Sequence, residues 1–267
     1  MTRPPLLVLC VAAITAGCGG GGGGSSPAPA NPPANPPVTN KSAGGIWHGF
    51  STTNEALTLY VAETGELKTI STTGTSGIAN PPAFGSGAVL VTGDQLSGAF
   101  DSRLLSAAAS DKCTFTGTAS ERVSLTVNLE CVDGSGAKRS ASLILGYDSD
   151  YDGGSALSTL AGNYVFPPGP ATNFLNINAN GVVFGTYDNG PSCTVNGLVK
   201  LVDARWNLYR LEWQLSLCTK IAQFEGATLT GFAIAHPRGT KPGSFIALLT
   251  GMVAGRLEAV SVLYQPP

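Results

Sequence analysis

Across 267 residues, 17 acidic side chains stand against 15 basic ones, only 12% of positions are charged, and no basic stripe runs along any segment, which excludes nucleic acid as a natural partner. Glycine, at 35 residues, and proline, at 18, are too abundant for a helical bundle and fit a turn-rich, extracytoplasmic β protein.

The first element in chain order is an export leader over residues 1–17: Arg3 supplies the positive start, Leu6 to Ile14 the apolar core, and Thr15-Ala16-Gly17 the small residues before a cut. A run this short cannot span a bilayer, which needs about 20 apolar residues in a helix. Thr15-Ala16-Gly17-Cys18 resembles the lipobox of bacterial lipoproteins. That resemblance implies cleavage before Cys18 and acylation of its thiol, palmitate included, so that the lipid bilayer is the first partner of the mature chain. Gly19 stands where an aspartate would signal inner-membrane retention, which implies the outer membrane, on its periplasmic or its surface face. More than one acyl chain would make the anchorage stable.

Residues 18–44 are almost wholly Gly, Ser, Pro, Ala and Asn, with the near-repeat Ala30-Asn31-Pro32-Pro33-Ala34-Asn35-Pro36-Pro37. Such a composition predicts a disordered tether, flexible in its glycines and extended in its prolines. The glycine run after Cys18 is also similar to that of surface-exposed lipoproteins of the transferrin-binding type, whose lobes contain small β-barrels.

Beyond the tether, short alternating runs separated by Gly, Asn, Asp and Ser clusters predict an all-β chain. The expectation is two antiparallel β-barrel or β-sandwich units of about eight strands each, over 45–150 and 151–267. In the first, strands are expected near 46–51, 56–62, 67–71, 88–92, 96–101, 114–119, 123–130 and 140–147. In the second they are expected near 162–166, 174–178, 182–187, 194–202, 209–217, 228–236, 245–251 and 257–264. Leu104 to Ala109 reads as a loop or a single helical turn.

A weak internal repeat pairs Gly45-Ile46-Trp47 with Gly162-Asn163-Tyr164, the hairpin at Gly65 with that at Gly181, and Cys113-Thr-Phe-Thr-Gly with Cys193-Thr-Val-Asn-Gly. Of six cysteines, Cys10 leaves with the leader and Cys18 carries lipid. The other four, in an oxidising compartment, allow three connectivities. Cys113–Cys131 and Cys193–Cys218 are favoured because each pair brackets one hairpin. Cys218 lies one residue out of phase with the apolar face of its strand, so the second bridge requires a bulge or a strand-end position.

Candidate chemistry is sparse. Asp148-Ser-Asp150-Tyr-Asp152-Gly153 has the opening of a calcium loop, but Thr159 stands where the bidentate glutamate belongs; the competing reading is a solvated acidic linker. His48 and His236 are too few and too far from the cysteines to predict a metal or catalytic pair. Glu63 and Glu66 flank Gly65, where a solvated hairpin tip is expected. Gly45-Ile46-Trp47 resembles the Gly-x-Trp of lipocalins and avidins, in which the tryptophan packs across a barrel floor.

No catalytic or cofactor motif is recognisable, so the expected function is a lipid-anchored cell-envelope protein with a non-enzymatic binding or structural role. Its partner would be an envelope or surface protein or a small apolar ligand, and no cofactor is expected. A lipocalin-like carrier of small ligands is the first alternative, and an envelope hydrolase the second.

Overall fold

In the computed structural model, which describes residues 40–52, 54–73, 82–104, 107, 109–166, 174–188, 192–239 and 242–267, the alternating runs become sixteen antiparallel strands. The leader, Cys18 and the tether as far as residue 39 lie outside the described residues.

The first eight strands are β1 (Gly45–Ser51), β2 (Glu55–Val61), β3 (Glu66–Thr73), β4 (Ala83–Thr92), β5 (Gln95–Leu104), β6 (Asp111–Ser120), β7 (Ser124–Val132) and β8 (Lys138–Asp148). They follow one another around a closed barrel, sealed where β1 pairs with β8 through Trp47 opposite Tyr147 and Phe50 opposite Ile144. Closure leaves no free strand edge. Period-2 patterning decides which face turns inward: in β7, Leu125 and Val127 are buried while Thr126 and Asn128 are exposed.

The second eight are β9 (Gly162–Val165), β10 (Phe174–Ile177), β11 (Val182–Tyr187), β12 (Cys193–Leu201), β13 (Tyr209–Ser216), β14 (Thr228–Ala235), β15 (Phe245–Val253) and β16 (Arg256–Tyr264). These form a curled sheet in chain order rather than a fully laddered barrel. Its two edges touch at one point, where Val165 and Gln265 exchange backbone hydrogen bonds of 2.8 and 3.0 Å. The interior of the curl is filled by Tyr164, Tyr209, Trp213, Phe245 and Tyr264, all at most 4% exposed. Phe245 stacks on Tyr264 at 5.0 Å and meets Tyr164 edge-on at 4.8 Å, an arrangement that adds to the area each ring buries.

The barrel and the curl pack through their outer faces. Ile46, Tyr60 and Phe84 of the barrel join Phe232, Ile234 and Leu248 of the curl in one buried cluster, together with Tyr151 and Leu208. Polar groups reinforce it: Lys68 donates to Ser86 and Thr250 at 2.8 and 2.9 Å, Arg103 pairs with Glu258 at 2.7 Å, and Arg210 pairs with Glu66. Residues Val38–Pro267 therefore make a single packed unit.

Tyr151 sits in a 3-10 turn, Ser149–Gly153, between the two sheets and is 1% exposed. One face of the Trp206 ring stacks on it at 5.4 Å, and the Arg122 guanidinium lies 3.9 Å from the centre of the same ring. The segment expected as a solvated linker is thus an anchored joint. The predicted tether is also shortened: Lys41 N donates to Gly93 O at 2.9 Å, and Ala43 is buried beneath Trp47.

The two sheets begin alike. Trp47 Nε1 donates to Ala43 O and Tyr164 Oη to Leu160 O, each at 2.9 Å and each four residues back. The turns that follow place Gly65 and Gly181 at φ +85° and +80°, where their carbonyls receive Val89 N at 2.8 Å and Val199 N at 2.7 Å. Val89 lies on the fourth strand of the barrel and Val199 on the fourth of the curl. This equivalence corrects the repeat read from the cysteines, since Cys113–Cys131 bridges the sixth and seventh barrel strands and Cys193–Cys218 the fourth and fifth of the curl.

Both bridges join the pairs expected. Cys113 and Cys131 lie directly opposite in the β6–β7 ladder. Cys218 instead lies beyond the end of β13, where Leu217 at φ +51° turns its own side chain into solvent and brings the next residue round to Cys193.

Candidate functional site

The barrel interior is graded along its axis. At the end bearing the β2–β3 turn, Trp47, fully buried, closes the floor among Val61, Leu67, Leu125 and Leu145. Above it is a wholly apolar void of about 30 Å3, the size of one water and without polar partners to hold one. Leu57, Phe100, Leu129 and Leu143 roof that void and also form the base of a second, open cavity of about 410 Å3 at the opposite mouth.

Polar residues take over the inward positions toward this mouth. Ser51, Glu55, Ser71, Ser102, Asp111 and Arg139 line it. They come there by register: Ser51 stands opposite Leu143, Leu57 opposite Ser71, Ser102 opposite Asp111, and Cys131 opposite Arg139. Arg139 pairs with Asp111 across the rim, so the one lining cation among the described residues is already committed.

Between floor and rim lies Thr69. It is 3% exposed, it lines the open cavity, and its hydroxyl has no hydrogen-bond partner among the described residues. A buried hydroxyl left unpaired costs about 1–3 kcal/mol; this one is sealed within the wall, and the hydrogen-bonding surface that an occupant meets is that of the serines nearer the rim. The arrangement suits reversible uptake of a molecule with an apolar end and a hydrogen-bonding end, and a volume of this size lies within the range of ordinary small-molecule sites.

The residues singled out from sequence distribute differently. Trp47 closes the barrel floor, the position expected of it. Asp148, Asp150 and Asp152 are dispersed over separate partners: His48 Nε2 at 3.1 Å, the Arg238 side chain at 3.2 Å, and Arg122 together with Tyr147 Oη. Among the described residues no group of three His, Cys, Asp or Glu side chains converges as a metal site.

His48 and His236 do not form a pair. His48 bridges Asp148 and Thr58, with Thr58 Oγ1 2.9 Å from its Nδ1. Although the order carboxylate, imidazole, hydroxyl invites a nucleophilic reading, Thr58 is in mid-strand and laddered on both sides, which takes its backbone groups from any developing oxyanion. His236 receives Gly243 N at 2.8 Å on Nδ1 and pins the β14–β15 connection. Glu63 is exposed as expected, whereas Glu66 is half-buried in its ion pair with Arg210.

Sequence reasoning missed Thr69, Glu55, Asp111 and Arg139 as a set. Their signal is faint: polar residues at inward positions of different strands, all far from the tryptophan end, which registers as one ring only when the barrel closes. The curl has no comparable gradient, its interior being filled by aromatic rings. Compared with known proteins, the sequence matches no family model and no curated protein.

Proposed function

We propose that this chain is a lipid-anchored protein of the bacterial cell envelope that binds rather than transforms its partner, with the barrel mouth as the binding site. The observation that carries the binding role is the axial grading of the barrel, from a floor sealed by Trp47 to an open cavity of about 410 Å3 with a polar rim. Of the forms such a role can take, a carrier or sensor of small ligands fits this cavity best. The envelope assignment is supported by the lipobox-like Thr15-Ala16-Gly17-Cys18, by the Gly/Pro tether behind it, and by cysteines placed for two disulfides, which persist in oxidising compartments.

In this reading the acyl chains on Cys18 hold the protein at the outer membrane and the tether sets its reach, while the curl acts as a filled scaffold against the barrel wall. Metabolic labelling with palmitate, followed by mass measurement of the mature amino terminus, tests the anchor. Acylated Cys18 as the first residue is expected, and Cys18→Ser should abolish both label and membrane fractionation. An unmodified Cys18 or a cut elsewhere would overturn the anchored assignment.

A further inference from the structure

We infer that the barrel mouth selects uncharged amphipaths, with an apolar end on Leu57, Phe100, Leu129 and Leu143 and a hydrogen-bonding group at the level of Ser71 and Ser102, and that it rejects carboxylic acids of the same shape. This rests on the binding reading above and specifies its ligand class.

Charge makes the first part of the case. Among the described residues the titratable side chains lining the mouth are Glu55, Asp111 and Arg139, two anions and one cation, and the cation is engaged by Asp111. The connecting sequences 52–54, 74–82, 105–110 and 133–137 contain a single charged residue, Asp133, which is again acidic. A carboxylate entering here would shed its hydration with no free cation to meet it, next to Glu55. An ester, amide or alcohol sheds far less hydration on entry.

Depth makes the second part. The lower void of about 30 Å3 is too small for a ligand group, so an apolar tail stops on the side chains that separate the two spaces. That places the polar end of a short amphipath nearer the rim than Thr69, whose buried hydroxyl is sealed within the wall. Serines at 51, 71 and 102 supply the hydrogen-bonding surface at that level. A hydroxyl donates to a carbonyl or ether oxygen and accepts from an alcohol or amide, so it recognises neutral groups without requiring charge.

A matched pair of probes tests this: 11-(dansylamino)undecanoic acid and its methyl ester, titrated at pH 7.5 into the full chain carrying Cys18→Ser, which needs no detergent. The ester should bind once per chain, at least tenfold more tightly than the acid. Ser71→Ala with Ser102→Ala should weaken the ester about tenfold while leaving the melting temperature of the empty protein little changed. An ester affinity unmoved by that pair of substitutions would overturn the hydrogen-bonding part of the selection. Ala141→Trp, at a half-buried rim position, should block both probes without unfolding the barrel. Equal affinity for acid and ester, both lost in Ala141→Trp, would overturn the selection for uncharged ligands and leave the binding site standing. Failure of either probe to saturate at one per chain, or binding unchanged by Ala141→Trp, would overturn the site itself.

Discussion

Arg103 of the barrel meets Glu258 of the curl at 2.7 Å, with both side chains about nine-tenths buried and the same guanidinium donating to Leu257 O at 2.7 Å. Strand alternation places Arg103 on the outer face of the barrel, where charge is ordinarily solvated, and Glu258 near the start of the last strand, in phase with Val260 and Val262; the packing of the curl on the barrel removes the water. The pair ties two sheets that otherwise share mainly apolar contacts.

Removing only the cation leaves a buried carboxylate uncompensated, a change that costs about 3–5 kcal/mol. Arg103→Met should lower the urea midpoint accordingly, whereas the double variant Arg103→Met with Glu258→Leu should recover most of the loss. A single variant within about 1 kcal/mol of the parent would show that the pair is solvated in solution.

The disulfide at Cys218 depends on the left-handed turn at Leu217, whose side chain is 73% exposed and packs little. A non-glycine residue there costs about 1–2 kcal/mol, so Leu217→Gly should be neutral or stabilising by up to about 1 kcal/mol, the reverse of the usual effect of glycine in a β protein. Breaking the bridge with Cys193→Ser and Cys218→Ser should cost about 3 kcal/mol by loss of loop closure in the unfolded chain. Thermal melts of both variants check these signs; a clear loss of stability in Leu217→Gly would contradict the turn described.

At Gly65 and Gly181 an added Cβ would stand 2.3 Å from Val89 O and Val199 O, and both backbones have positive φ. Gly65→Ala and Gly181→Ala should therefore each destabilise by more than about 1 kcal/mol, through strain and a backbone contact that cannot yield. Similar losses are expected in denaturant titrations, because the two turns touch equivalent fourth strands. If only one variant were destabilised, the equivalence drawn between the sheets would fail.

Stability should fall above pH 10. Burial holds the Tyr60 hydroxyl up to about 12, with the Asp148 charge adding to it, and burial alone takes Tyr187 to about 12. Tyr147, Tyr151 and Tyr264 are raised further, each mainly by burial. A group raised in the folded state contributes stability that is complete below its unfolded value, near 10, and is lost as pH climbs toward the folded value, at up to about 1.4 kcal/mol per pH unit per tyrosine. Lys68 works the other way: burial lowers it, so folding gains as pH rises from its lowered value toward 10.5. Five tyrosines outweigh one lysine. Tyrosinate absorbance at 295 nm should lag behind that of free tyrosine until the chain unfolds, with the urea midpoint dropping between pH 9 and 11. A constant midpoint across that range would contradict the burial described.

All sixteen strands were legible in the sequence because the signal for a strand is local: a period of two, punctuated by turn residues. The cysteine pairing was legible for the same reason, each pair spanning one hairpin. Local order also misled. The motif shared by Cys113 and Cys193 suggested equivalent strands, although the two hairpins occupy different places in their sheets. The exposed linker expected at Asp148 to Gly153 became a joint because Tyr151 found a ring to stack on more than 50 residues away. One hint of the buried outer faces was present: the unbroken apolar runs Phe232 to Ala235 and Phe245 to Leu249, which fit strands covered on both sides.

The sequence by itself determined that sixteen strands form and in what order, which face of most of them turns inward, and which cysteines join, since these follow from side-chain alternation and from contacts within one hairpin. Tertiary structure alone decided that the first sheet closes while the second curls and fills, that Lys68, Arg103 and Glu258 leave water, and that Thr69 and Arg139 line one mouth. These depend on which strands meet around the barrel and on the packing of one sheet against the other. Such contacts bring together residues from distant strands, so no single stretch of the chain encodes them.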